Sequence, residues 1–122
     1  MPETILYVCT TCRRSDDDPD GPRAGARLLE ALRARSGGTP DLRVEAVECL
    51  SVCKRPCTVA VAAPDRWTYV YGDMDPAASA EIILGGLAAY AATPDGIVPW
   101  RERPEAFRKG VIARIPPFPE PR

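Results

Sequence analysis

The chain has 122 residues, 45% of them hydrophobic and only 7% aromatic, which suits a single domain with one core. Seventeen acidic and sixteen basic side chains leave a net charge of −1, so the strongly basic face that non-specific nucleic-acid binding needs is missing. Histidine is absent, which excludes Ser–His and Cys–His catalysis and every histidine-based zinc hydrolase site.

The N-terminal stretch "MPETILYVCTTC" lacks the basic segment and long apolar run of a signal peptide. Its core, "TILYVC" (4–9), is short, β-branched and aromatic, and is expected to be a strand. The polar, turn-rich "RRSDDDPDGP" then predicts a loop. A helix is expected over 23–38, with Ala24, Leu28, Ala31, Leu32 and Arg35 on one stripe, Pro22 in the first turn and Gly37–Gly38 at the stop. Residues 42–49 alternate Leu42, Val44, Ala46 with Arg43, Glu45, Val47, the pattern of a half-buried strand. Strands over 58–64 and 67–73, joined by the "PDR" turn, read as an antiparallel hairpin; Trp67, Tyr69 and Tyr71 read as cross-strand packing.

A second helix is expected over 75–92, capped by Asp75 and opened by Pro76, with Ala80, Ile83, Leu84, Leu87 and Ala91 forming its apolar stripe. Gly85–Gly86 in its middle suggests close packing of the helix on the sheet. From Thr93 the composition turns rich in proline and arginine. That segment is too short and polar for a second domain. It is expected to be an extended tail lying back through Ile97, Trp100, Phe107 and Ile112, with polyproline geometry in "PPFPEPR". No run of about 18 to 20 apolar residues is available to span a membrane. The expectation is a cytoplasmic protein in a reducing compartment, where clustered cysteines bind metal or do redox chemistry more often than they form permanent disulfides.

All five cysteines fall after the first two strands: Cys9 and Cys12 after one, Cys49, Cys53 and Cys57 after the other. With a helix between them, those strands should be parallel with a right-handed crossover. Their C-terminal ends then share one edge of the sheet, where α/β proteins usually bind ligands. Thiolates from the two loops can hold Zn²⁺ or an iron–sulfur cluster. Cys-x-x-Cys alone is shared by zinc sites and redox dithiols. Combined with Cys-x-x-x-Cys it favours an iron–sulfur cluster. Cys57 stays open as a spare ligand in place of Cys12 or a thiol packed under the loop. Lys54 and Arg55 either face solvent or stabilise an anionic cluster. A dithiol oxidoreductase built on Cys9 and Cys12 is disfavoured, because such pairs sit at helix N-termini and "RRSDDDPD" follows here.

The run "CLSVCKRPC", the strand after it, the aromatic hairpin "WTYVYGDMDP" and the final helix resemble the thioredoxin-like [2Fe–2S] ferredoxins, a family that includes the small cluster-bearing subunit of NADH dehydrogenases and hydrogenases. The resemblance covers roughly 4–92 and implies an α/β thioredoxin-like fold of βαβββα type. It implies a ferredoxin domain over 1–92 and a Pro/Arg-rich extension packing on it over 93–122. Its ligand positions fall on Cys9, Cys12, Cys49 and Cys53, with Cys57 as an extra thiol and the first pair more closely spaced than the family's. A [2Fe–2S] cluster, electron transfer to redox partner proteins, no substrate site of its own and a homodimer are what it implies for function. Zinc or cobalt in the same thiolates, for metal delivery or structure, is the alternative. The whole chain, including "GIVPWRERPEAFRKG", also resembles an uncharacterised bacterial family of predicted metal-binding proteins often found near cobalamin-synthesis or metal-handling genes, which implies a role in such a pathway.

Overall fold

The strands β1 (Thr4–Cys9), β2 (Leu42–Val47), β3 (Val59–Ala62), β4 (Thr68–Tyr71) and β5 (Val111–Ile115) form one five-stranded sheet in the order β2-β1-β3-β4-β5. The computed structural model describes residues 4–11, 19–36, 42–51, 57–75 and 78–117. β1 and β2 are parallel, in register from Thr4 opposite Leu42 to Cys9 opposite Val47. Such a pair needs a crossover, and α1 (Ala24–Ser36) supplies it. β3 runs antiparallel to β1, with Val59 opposite Val8, and makes the expected hairpin with β4, where Val59 faces Tyr71. Asp65 closes that turn at φ 60°.

Leu28 and Leu32, one helical turn apart, are fully buried where α1 packs on β1 and β2. Burying side chains of this size stabilises the fold by roughly 1.5–3 kcal/mol each. Arg35, expected on the same stripe, is exposed instead and pairs with Glu81 of the second helix, α2 (Ser79–Ala91), at 2.8 Å. α2 starts at Ser79 rather than at Asp75, and its N-cap is Ala78, which makes no side-chain cap bond; the Asp75 carboxylate accepts the Ala78 N–H at 3.1 Å, and the Ser79 hydroxyl accepts the Asp75 N–H at 2.8 Å. Ala80, Ile83 and Leu87 are buried, but so are Gly86 and Tyr90, whereas Leu84 is half-buried and Ala91 exposed. Pro22 precedes α1 rather than opening it; Gly37, Gly38 and Pro76 lie outside the described residues.

The segment after Thr93 carries regular structure that its composition obscures. A 3-10 turn (Trp100–Glu102) leads into α3 (Glu105–Lys109) and then into β5, an edge strand on β4 with a bulge between Val70 and Tyr71. Of its four expected anchors, Phe107 is buried in the core and Ile97 and Ile112 are half-buried. Trp100 is 56% exposed, with the Arg103 guanidinium 5.4 Å from its ring centre. Phe107 stacks on Tyr71 with centroids 4.0 Å apart, and Tyr69 meets Tyr90 edge-on at 6.5 Å. The Tyr90 hydroxyl donates to the Trp67 carbonyl at 2.6 Å, and Arg103 Nη2 donates to the Tyr69 hydroxyl at 3.2 Å. Tyr69 and Tyr90 are therefore packing residues that also satisfy their polar ends. No described helix is long and apolar enough to cross a membrane.

The two central glycines of α2 behave oppositely. A Cβ on Gly86 would stand 2.2 Å from the Phe107 ring, so the close approach is of α2 to α3 rather than to the sheet; Gly85 faces open space. Gly85→Ala is expected to raise stability by about 0.5–1 kcal/mol through helix propensity. Gly86→Ala should lower it by about 1–3 kcal/mol through overpacking. Denaturant midpoints of the two variants check both signs.

Burial pushes the Tyr90 phenol up to about 12, against the opposing charge of Arg66, and raises the Tyr71 phenol as well, against Arg103. An unfolded tyrosine ionises near about 10, so above that pH the unfolded chain releases protons that the folded chain retains. The contribution of these phenols is thus fully present below about pH 10 and is lost as pH rises through their folded values. Denaturant midpoints should fall across that alkaline window, and less steeply in Tyr90→Phe.

Candidate metal centre

Because β1 and β2 are parallel, their last residues, Cys9 and Val47, reach the same rim of the sheet, and Cys49 follows just beyond. β3 starts at this rim in the opposite direction: the Cys9 N–H donates to the Thr58 carbonyl at 3.1 Å. The topology therefore draws Cys9, Cys49 and Cys57 to one edge, as the crossover argument predicts.

The two thiol-bearing loops are stitched together. The Thr10 N–H donates to the Val47 carbonyl at 2.9 Å, and the Thr10 hydroxyl donates to the same oxygen at 3.2 Å. The Thr11 hydroxyl donates to the Glu48 carbonyl, which also accepts from Cys9 Sγ at 3.5 Å. Arg23 Nη1 holds the Thr11 carbonyl at 3.2 Å. Cys9 is buried and Cys49 exposed. Ser51 adopts φ 61°, and its N–H donates to Cys49 Sγ at 3.1 Å. Backbone N–H groups on sulfur stabilise negative charge there, the environment that thiolate ligands need. Behind Cys9, the first turn of α1 leaves no gap: a Cβ on Gly25 would stand 2.0 Å from the Cys9 carbonyl oxygen.

Cys57, like Cys9, is buried in the core cluster, at 0% exposure against 2%, whereas Cys49 is exposed. The Cys57 backbone pairs both ways with Met74, N–H to carbonyl at 3.5 Å and 3.2 Å.

Cys12 and Cys53 lie outside the described residues, as do Lys54 and Arg55. Among the described residues, no three or more Cys, Asp or Glu side chains gather in a group able to hold a metal ion. The described part of the site still fits a thiolate-held metal in its chemistry: soft sulfur donors on two adjoining loops, with an N–H directed at one of them. Thr10, Thr11 and Gly25 are site residues that sequence reasoning passed over. The signals were present: two hydroxyl residues between cysteines, and a glycine in the first turn of a helix otherwise rich in good helix formers.

Residues 6–117 match the family described as "Protein of unknown function (DUF1636)". The chain belongs to this family. No curated protein matches it. Among solved structures, a thioredoxin-like [2Fe–2S] ferredoxin from Aquifex aeolicus matches with a TM-score of 0.59 at 16% identity, over 96% of this chain and 96% of that one. A crystal structure of the wild-type thioredoxin-like [2Fe–2S] ferredoxin from Aquifex aeolicus matches at 0.58 and 20% identity, over 93% and 99%. A cysteine-to-serine variant of that ferredoxin matches at 0.57 and 16%, over 90% and 98%. At these identities the likeness establishes the fold: this DUF1636 chain is thioredoxin-like.

Proposed function

We propose that the chain holds a [2Fe–2S] cluster through Cys9, Cys12, Cys49 and Cys53 and acts as a one-electron carrier. The observation that carries this reading is the meeting of the Cys9 and Cys49 loops at one rim, where the Thr10 N–H, next to Cys9, bonds the Val47 carbonyl just ahead of Cys49 at 2.9 Å. That the similar solved structures are described as [2Fe–2S] ferredoxins supports it. Bound there, the cluster would supply reversible one-electron transfer. The chain supplies the rest. Cys9 would anchor from a buried position and Cys49 from the exposed side facing a redox partner protein. The Ser51 N–H would ease the charge gained on reduction and so raise the potential. Cys57 is left out of the proposed set because the ligand positions of the ferredoxin resemblance fall on the other four cysteines.

In this reading the protein is a cytoplasmic carrier without a substrate site of its own, and a homodimer. The resemblance to a family found near cobalamin-synthesis genes makes a corrinoid-reducing system the first acceptor to assay. The Cys-x-x-Cys spacing of Cys9 and Cys12 favours a second reading, zinc or cobalt in the same thiolates.

Purification without air, followed by iron, zinc and acid-labile sulfide analysis, separates the two. Red-brown protein with equal iron and sulfide, bleached by dithionite, is the expected result. Colourless zinc protein would overturn the cluster in favour of the second reading. Colourless, metal-free protein that takes up neither iron with sulfide nor zinc would sink both.

A further inference from the structure

We infer that Thr10 and Thr11 form a latch that positions the two thiol loops for the metal. This rests on the proposed metal reading and adds the residues that set its geometry. Both residues between Cys9 and Cys12 carry hydroxyls, and both hydroxyls cross to the chain leading into Cys49: Thr10 to the Val47 carbonyl at 3.2 Å, Thr11 to the Glu48 carbonyl. The ladder of β1 on β2 ends with Cys9 opposite Val47. The hydroxyls therefore extend the pairing of the two segments past the last ladder residues, into the region where the sulfurs are presented. Thr11 Oγ1 also lies 3.8 Å from Cys9 Sγ. A ligating sulfur accepts hydrogen bonds and does not donate them, so metal binding would take the Cys9 donor off the Glu48 carbonyl and leave that oxygen to the Thr11 hydroxyl. Thr11 is exposed and Thr10 half-buried, so their placement reflects these bonds rather than burial in the core.

The test compares Thr10→Val and Thr11→Val, singly and together, with Thr10→Ser and Thr11→Ser in the full chain. Cobalt(II) is titrated anaerobically against each variant, and the sulfur-to-cobalt charge-transfer band is read. Backbone hydrogen exchange over 9–11 and 47–51 is measured on the same proteins without metal. The double valine variant should lose roughly tenfold or more in cobalt affinity, as is typical when a partner of a metal ligand is removed. Its metal-free exchange should accelerate at both loops, and both serine variants should match the parent protein. Unchanged exchange in the double valine variant overturns the latch. Faster exchange with unchanged cobalt affinity overturns its role in positioning the sulfurs. Failure of the serine variants to rescue overturns the assignment to the hydroxyls. If the parent chain takes up no cobalt, zinc or iron, the metal reading fails and this inference fails with it; if the parent binds metal and only the valine effect is missing, the metal reading survives alone.

Discussion

Alanine at position 9 or 49 is expected to abolish stable metal loading, while Cys57→Ala leaves loading intact. The three described cysteines share a rim but differ in surroundings. Cys49 is exposed with the Ser51 N–H on its sulfur, and Cys9 bonds the Glu48 carbonyl beside it. An alanine in either place leaves the metal or cluster one donor short. The loss should exceed the roughly 10–100-fold that follows removal of a mere partner of a ligand. Cys57 is fully buried beside Val59. Its truncation to alanine should cost about 1 kcal/mol of packing and leave the iron and sulfide content of reconstituted protein unchanged. Equal loss of metal in Cys57→Ala and Cys49→Ala would place Cys57 among the ligands.

The second large effect is expected at Gly25. On helix propensity alone, Gly25→Ala should gain about 1 kcal/mol. Here the sign reverses. The added Cβ would stand 2.0 Å from the Cys9 carbonyl oxygen, 3.1 Å from its carbon and 3.3 Å from the Thr10 carbonyl carbon. These are backbone atoms that cannot rotate aside as a side chain would. Either α1 lifts from β1 or the Cys9–Thr10 segment shifts. A net loss of about 1–3 kcal/mol is expected. Metal affinity should fall with it, roughly tenfold or more, because Cys9 carries the displacement. Gly85→Ala is the control, since its Cβ meets nothing within 4 Å. Denaturation midpoints together with cobalt titration distinguish a shifted thiol from a merely weakened helix. A Gly25→Ala protein of undiminished stability and metal affinity would contradict the tight docking of α1 on Cys9.

Much of this architecture is legible in the sequence because the local signals agree with one another. Thr4–Cys9 and Thr68–Tyr71 are β-branched or aromatic runs bounded by polar turns, and both fold as strands at the expected places. Leu28 and Leu32 of α1 recur at helical spacing and are buried. The parallel pairing of β1 and β2 follows from the helix between them, and with it the meeting of the Cys9 and Cys49 loops. The C-terminal segment was harder to read. Gly110 followed by Val111, Ile112 and Ile115 is a strand signal, but prolines and arginines on either side mask it, and β5 gains its order by pairing with β4. Periodicity also could not rank Gly86 above Leu84, since the burial of Gly86 depends on Phe107 arriving from a distant part of the chain. The same limit applies to the site. Spacing marks the cysteines, but the hydroxyls of Thr10 and Thr11 acquire meaning only when Val47 and Glu48 are set opposite them.

X-ray absorption at the iron edge of anaerobically reconstituted protein tests the central claim most directly. A [2Fe–2S] cluster on these thiols gives a first shell of sulfur alone and a single iron neighbour, with two irons per chain, and that signal is expected to be lost in both Cys9→Ala and Cys49→Ala. Iron surrounded by oxygen or nitrogen, or a signal that survives in either alanine variant, would contradict it.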